Sequence, residues 1–243
     1  MIIAAILAGG KGTRFGSNIP KQYLDLAGQP IIIRTIDSFV SSNCVDVIFI
    51  SVSDMWMEHI QKLIAEYYAG LDKPQFRFVE GGKERMTTLL NVTRAIVDEF
   101  GARSEDILLT HDAVRPFVSC EVIEDCVSKT RDFGVAMASL KSADTIYSMG
   151  KDGFLTSTYD RSKLYAAQTP QGCRMDVMKE VIESYTEEEL LSMAGTSQLF
   201  INRGIDVCIS LGDVDNVKIT TMRDLDFANY RLQRMAGENS REY

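Results

Sequence analysis

Short, wholly apolar runs recur along this chain, and a segment with helical spacing follows most of them. Residues 2–8, "IIAAILA", end in glycines; "PIIIRTIDSFVSS" carries apolar residues at helical intervals, and "VDVIFISVS" is apolar again. The pattern continues through helix-like "MEHIQKLIAEYYAG", strand-like "FRFVEGG" and helix-like "ERMTTLLNVTRAIVDEF". "DILLTHDAVRPF" reads as a strand entering a polar loop, "CEVIEDCVSKTRDFG" as a helix and "VAMASL" as a strand. Runs that do not alternate with polar residues belong to strands covered on both faces, and strands separated by helices pair in parallel. The rhythm therefore predicts an α/β fold, a mostly parallel twisted sheet with helices on both faces.

Between about 142 and 168 the rhythm breaks. "SADTIYSMGKDGFLTSTYDRSKLYAAQ" holds two β-like pieces around the turn signal "MGKDG". An isolated hairpin is marginal in water, so this one is expected to project as an arm and pack on the sheet or on another subunit. Beyond it, "MDVMKEVIESYTEEELLSMAG" reads as a helix, "DVCISLGD" as a last strand and "RDLDFANYRLQRM" as a closing helix. The polar tail "AGENSREY" is expected to fray. With no internal repeat or linker, residues 1–243 read as one domain with a β-hairpin arm at about 142–168.

Composition removes several chemistries. A net charge of −8 argues against a nucleic-acid surface, while leaving room for a local basic cleft. No apolar run reaches the roughly 18 residues of a membrane span, and "MIIAAILAGG" is too short and uncharged for a signal peptide. No membrane partner and a cytoplasmic location are therefore expected. Cys44, Cys120, Cys126, Cys173 and Cys208 form no C-x-x-C pair and read as reduced thiols. Two histidines, His59 and His111, give a zinc site or a Ser-His-Asp triad few parts, and His59 falls in a helical pattern where packing is its default role. Phosphate and carboxylate chemistry remains.

The glycine-rich "LAGGKGTRFGSNIPKQY" (7–23) is the natural place to look for it. From Gly10 and Gly12, a dinucleotide fingerprint needs glycine where Phe15 stands; a P-loop needs glycine in place of Ala5 and Ser or Thr in place of Gly12. With both fingerprints excluded, the segment reads as a broad backbone loop whose N–H groups can approach a triphosphate, because glycine has no Cβ in the way. Arg14 and Lys21 would add side-chain charge. A solvated basic loop is the alternative, and the loop alone does not choose.

Four further strings do: "GGKERMTTL" (81–89), "HDAVRPF" (111–117), "QTPQ" (168–171) and "DNVKITT" (215–221). With the opening loop they resemble, in order and spacing from about residue 2 to 230, the cytidylyltransferases that join CTP to a polyol phosphate. That group includes the 2-C-methyl-D-erythritol 4-phosphate enzyme of isoprenoid synthesis and the ribitol 5-phosphate enzyme of teichoic-acid and capsule synthesis. The resemblance implies a nucleotidyltransferase-type α/β fold and a homodimer with exchanged arms. It also implies an Mg²⁺-dependent reaction of CTP with a polyol phosphate, giving a CDP-polyol and pyrophosphate. By motif, Arg14 and Lys21 resemble the pair that stabilises the triphosphate, and Lys218 the lysine beside the phosphates. Leu7, Ala8, Gly9, Gly10 and Gly12, with Gly81, Gly82 and Thr88, are similar to the nucleotide pocket. Asp112 resembles the aspartate that holds Mg²⁺ and meets the polyol, with Asp215 as a second metal candidate. Thr145, Arg161 and Thr169 resemble the acceptor-phosphate clamp, the first two on the exchanged arm.

The residue chemistry is compatible with that assignment. Nucleotidyl transfer needs positioning and charge neutralisation, and an attacking phosphate monoester is already anionic, so no general base is required. His111 is the one base at any motif. Blander readings stand beside these: Asp112 capping the turn before Pro116, Arg115 in a supporting ion pair, Arg85 positioning the "GG" loop. Only one of the adjacent Thr87 and Thr88 can face the pocket if the segment is helical. "ILAGGKGTRFG", "YAAQTPQ", "WMEHIQKLIAEYY" and "YTEEELL" resemble the ribitol branch more than the methylerythritol branch. An acidic "TD" element usual in both is missing, since no acid stands between Glu189 and Asp206.

Overall fold

Ile3, Ala4, Ala5 and Ile6 are completely buried, because β1 (Ile2–Leu7) runs through the interior of the sheet with helices on either side. The structure is a computed structural model and describes residues 1–9 and 19–239, with side chains as far as residue 234. A small antiparallel pair, β2 (Asp25–Leu26) and β3 (Gln29–Pro30), leads into α1 (Ile31–Ser41). Then follow β4 (Val47–Val52), α2 (Met57–Tyr67), β5 (Gln75–Glu80), α3 (Arg85–Phe100), β6 (Ile107–Asp112), α4 (Cys120–Phe133) and β7 (Val135–Lys141). The arm is β8 (Tyr147–Met149) paired antiparallel with β9 (Leu155–Thr158). The chain re-enters the sheet as β10 (Tyr165–Arg174) and closes through α5 (Met175–Glu183), α6 (Glu187–Leu191), α7 (Ser197–Ile201), β11 (Cys208–Leu211) and α8 (Met222–Asn239).

The seven-stranded sheet has the order β11-β7-β10-β6-β1-β4-β5. Every pairing in it is parallel except those of β10, which is antiparallel to both β6 and β7. Alternation along β1 divides the core. Ile2, Ala4 and Ile6 face a cluster holding Ile33, Ile36 and Phe39 of α1, Ile60 of α2 and Ile123 of α4. Ile3 and Ala5 face Leu89, Val92 and Ile96 of α3 and Met178 and Ile182 of α5. Truncating any one of these aliphatic side chains to alanine would cost about 2–5 kcal/mol. A third cluster, with Leu26, Val114, Ile219 and Leu225, fastens α8 over the loop that follows β6.

Local chemistry sets the helix ends. Ser119 caps α4 by accepting from the Val122 N–H at 3.3 Å. Gly134 ends α4 at φ +83°, a left-handed conformation that glycine adopts without strain.

Two expectations are corrected. The segment 175–195 is two short helices, α5 and α6, rather than one. Thr186 and Glu189 form a reciprocal capping box that starts α6 afresh, and Arg203 lies 3.9 Å over the Tyr185 ring while donating to the Ser184 carbonyl. The returning leg of the arm, residues 165–168, belongs to the main sheet as the start of β10. α8 also continues to Asn239, into the tail expected to fray. Gly172 is what lets β10 lie inside the sheet: a Cβ there would sit 2.0 Å from Thr130 Oγ1 and 3.2 Å from Cys126 Sγ, both on α4. Between Ala167 and Gln171 the register against β7 shifts, a bulge that redirects the side chains around Thr169.

Candidate active site

The carboxyl ends of β1, β4, β5 and β6 open on one side of the sheet, where ligands bind in open α/β folds. β1 and β5 both continue into glycines held against β4. The Ala8 N–H donates to the Ser51 carbonyl at 2.8 Å, and the Gly81 N–H to the Val52 carbonyl at 2.7 Å. Their backbones nearly touch, since a Cβ on Gly81 would lie 3.3 Å from Gly9 Cα. Thr88 sets the second turn. Its hydroxyl accepts from the Gly82 N–H at 3.0 Å and donates to the Glu84 carbonyl at 2.9 Å, and the residue is buried. Thr87 turns the other way and caps α3 through the Glu84 backbone. Of the two threonines, Thr88 therefore faces the glycine cleft, bordered by Leu7, Ala8, Gly9, Gly81 and Gly82.

Asp112 ends β6 and receives three cations. Arg85 Nη1 lies 2.6 Å from Oδ1, while Lys218 Nζ at 2.9 Å and Arg115 Nε at 3.3 Å share Oδ2. Burial pushes this carboxyl upward, but the charges of Arg85, Lys218 and Arg115 hold it well below the usual carboxylate range. Three positive charges facing one negative leave this end of the sheet ready for an anion. Arg115 is the buried ion-pair partner, with a side chain 11% exposed. Arg85 does more than support the glycine loop, because it spans Asp112 and Gln171 Oε1.

The "DNVKITT" loop is laced onto this group. Asn216 Nδ2 donates to the Thr169 carbonyl and Arg115 Nη1 donates to the Asn216 carbonyl, both at 2.7 Å. The Ile219 N–H donates to the Val114 carbonyl at 2.9 Å, which presents Lys218 to Asp112. Lys21 arrives from the other side: Nζ donates to the Ile219 carbonyl at 3.0 Å, and Gln22 beside it donates to the Ala8 carbonyl at 2.7 Å. Lys21, Asp112, Lys218 and the glycine cleft are therefore brought together at one end of the sheet. Arg14, Gly10 and Gly12 lie outside the described residues.

Four expected residues have other surroundings. Thr169 is 3% exposed, and its hydroxyl is committed to His111 Nδ1 at 2.9 Å and the Asp112 N–H at 3.2 Å rather than open to an acceptor phosphate. Asp215 is paired with Arg231 of α8, whose hydrogen bond lowers its pKa. Thr145 and Arg161 stand exposed on the arm, with Arg161 Nη1 reaching the Ala143 carbonyl at 3.4 Å. Among the described residues no group of three His, Cys, Asp or Glu side chains forms a metal cage. Asn216, Gln22 and Gln171 escaped the sequence reading, although each stands inside a quoted motif.

A glycine cleft beside a cation-ringed carboxylate, at the carboxyl end of a mostly parallel sheet, defines an α/β enzyme of nucleotidyltransferase type. The comparisons are specific. The chain belongs to the 2-C-methyl-D-erythritol 4-phosphate cytidylyltransferase family, whose profile matches residues 2–234. It is 35% identical over 235 residues to a ribitol-5-phosphate cytidylyltransferase of Streptococcus pneumoniae serotype 2, covering 96% of this chain and all of that one. Among solved structures it is similar to 4-diphosphocytidyl-2C-methyl-D-erythritol synthase from Anaerococcus prevotii, with a TM-score of 0.80, 27% identity and 96% coverage of both chains. The Francisella tularensis 2-C-methyl-D-erythritol 4-phosphate cytidylyltransferase shares the fold at a TM-score of 0.74, 24% identity and coverage of 94% and 98%.

Proposed function

We propose that this protein transfers the cytidylyl group of CTP to ribitol 5-phosphate, giving CDP-ribitol and pyrophosphate. The observation that carries the reading is Asp112 with Arg85, Arg115 and Lys218 around it, a few residues of backbone from a glycine cleft suited to a nucleotide. An oxygen of the acceptor phosphate attacks the α-phosphorus, the bond from that phosphorus to the bridging oxygen breaks, and pyrophosphate leaves with the electron pair. The attacking oxygen is already anionic, so the work of the site is to offset repulsion between anions. Leu7, Ala8, Gly9, Gly81, Gly82 and Thr88 border the nucleotide, and the motif resemblance adds Gly10 and Gly12 to this set. Arg14, Lys21 and Lys218 take the phosphate charge.

Mg²⁺ fits the donor set. A single carboxylate with phosphate oxygens and water is a usual Mg²⁺ environment, and Asp112 is that carboxylate. The ion would neutralise phosphate charge. Three cations already face Asp112, so it would hold the ion only together with phosphate oxygens that complete the donor set. Asp215, held by Arg231, stands as a weaker second candidate.

The arm supports a homodimer. Ile146, Tyr147, Met149, Phe154, Leu155 and Tyr159 are all exposed on it, an apolar surface that a hairpin alone does not retain in water. Exchange of arms would bring Thr145 and Arg161 of a second copy to the acceptor phosphate. None of the described helices is long and apolar enough to cross a membrane, and we place the enzyme in the cytoplasm, where CTP is made.

The 2-C-methyl-D-erythritol 4-phosphate acceptor is the second reading, favoured by the family profile and the Anaerococcus relative. Against it stands the 35% identity with the ribitol-5-phosphate enzyme. Pyrophosphate release from CTP, measured with ribitol, methylerythritol, glycerol and arabinitol phosphates and with or without Mg²⁺, tests the proposal. Release with the ribitol ester and Mg²⁺ is expected; preference for the methylerythritol ester would transfer the assignment, and no release with any would overturn it.

A further inference from the structure

We propose that His111 is a positioning residue for the transfer: through its two ring nitrogens it sets Asp112 and Arg115 relative to each other, and it transfers no proton. The proposal rests on the reading of Asp112 and Arg115 as parts of the reaction site.

Hydrogen-bond directions fix the ring's state. His111 Nε2 lies 3.2 Å from the Arg115 carbonyl oxygen. A carbonyl only accepts, so Nε2 carries the hydrogen. In the neutral ring Nδ1 is then an acceptor, and it takes the Thr169 hydroxyl hydrogen at 2.9 Å. That hydroxyl oxygen accepts in turn from the Asp112 N–H at 3.2 Å. Each polar atom of the relay is used in one sense, and none is left over for a substrate.

Strand geometry separates the imidazole from the reaction. His111 and Asp112 are consecutive on β6, so their side chains leave opposite faces of the sheet. Asp112 meets Arg85 of α3 on one face. His111 lies under α1 on the other, fully buried, with its ring 4.9 Å from that of Phe39 in an edge arrangement. A general base must come within hydrogen-bond reach of the proton it removes, and this ring is walled off from the carboxylate's ligands. What it does touch is the Arg115 carbonyl in the loop after β6 and the Thr169 hydroxyl on β10. The Arg115 guanidinium is held separately by Asp112 and the Asn216 carbonyl, and Asn216 returns to Thr169. His111 therefore joins two points of a closed ring running through Asp112, Thr169, Asn216 and Arg115, and losing it loosens both.

Five variants test this with kcat, KM and thermal unfolding recorded for each. His111→Phe fills the space without hydrogen bonds; kcat is expected to fall about 100-fold, as for a misplacement of about 1 Å, with the KM for CTP little changed because the glycine cleft is built elsewhere. His111→Asn offers an acceptor near the Nδ1 position, and His111→Gln a donor near the Nε2 position. Each is expected to recover about a tenth or more of the lost rate, although an amide is no base. Adding Thr169→Val orphans the Asp112 N–H in either background and is expected to slow the Asn variant further than the Gln variant, because only the Asn variant uses that hydroxyl. Wild-type kcat in His111→Phe, Asn and Gln variants as slow as Phe, or equal effects of Thr169→Val on both amides would each overturn the proposal. If His111→Phe does not fold, the two amide variants with and without Thr169→Val decide. Absence of turnover in the wild type across the acceptor panel would overturn the functional reading and this proposal together; wild-type turnover with unaffected variants would overturn this proposal alone.

Discussion

Replacing Gly82 by alanine places one methyl group where the nucleotide cleft and the start of α3 meet. The new Cβ would lie 2.2 Å from Thr87 Oγ1, 2.5 Å from Thr87 Cβ and 2.7 Å from the Thr87 carbonyl carbon. Thr87 cannot swing aside freely, because its hydroxyl accepts from the Glu84 N–H at 3.1 Å and donates to the Glu84 carbonyl at 2.9 Å. Relief requires lifting the first turn of the helix. Losing that cap costs about 0.5–2 kcal/mol and overpacking about 1–3 kcal/mol, so about 2–4 kcal/mol in all. For a chain of this size the melting temperature should fall by about 5–15 °C. The same turn carries Thr88 and Arg85, so the KM for CTP should rise together with the loss of stability. Thermal unfolding and steady-state kinetics on Gly82→Ala check both. Pairing it with Thr87→Ala removes the 2.2 Å contact but not the backbone contact at 2.7 Å, and should not restore either property. A Gly82→Ala protein with unchanged melting temperature and KM would refute the reasoning.

Asp112→Asn leaves three cations around a neutral amide; kcat should fall about 100- to 1,000-fold, and a loss below about threefold would contradict the role of the carboxylate. Burial lowers the His111 pKa to about 4; Asp112 and the hydrogen bond to the Arg115 carbonyl oppose the shift, and the charges of Arg115 and Arg85 reinforce it. From the unfolded value of about 6.5 down to the folded one, only the unfolded chain takes up this proton, so stability should fall by about 1.4 kcal/mol per pH unit. Urea unfolding of the metal-free wild type and His111→Gln between neutral pH and pH 5 measures that slope, and equal slopes would exclude it. Mixing Arg161→Ala with Lys21→Ala subunits should restore part of the activity if the arm serves a neighbouring copy. A mixture as inactive as both parents would show that each site is built from one chain.

Sheet and helices were legible where the physics is local. β1 is apolar throughout and β4, β6 and β7 open on apolar runs because both faces of these strands are covered, and the helices between them show their buried stripe. β10 was not legible. Pro170 and two glutamines argue against an interior strand, and only the packing of α4 over Gly172 shows why glycine is needed there. The helical pattern after Met175 concealed the cap at Thr186 that divides it. In the site, Asp112 and Lys218 could be marked from their motifs. The division of labour between neighbours could not. Asp215 and Asn216 differ by one position, yet one meets α8 and the other ties Thr169 to Arg115. Arg85 and Asp112 are far apart in sequence, and their contact exists only once α3 lies across β6.

β10 begins at the root of the arm, where Tyr165 pairs with Lys141, and within the same strand reaches Gln171 opposite Thr110, one turn of the pleat from the Asp112 relay. This gives the two ends of the arm different evolutionary freedom. Length changes at the exposed tip, around Gly150 and Gly153, are absorbed by solvent. Between Tyr165 and Thr169 a single inserted or deleted residue would turn every following side chain to the opposite face and carry the Thr169 hydroxyl away from Asp112. A lineage can therefore vary the length of the turn at the tip, while the few residues at its root are constrained by the chemistry.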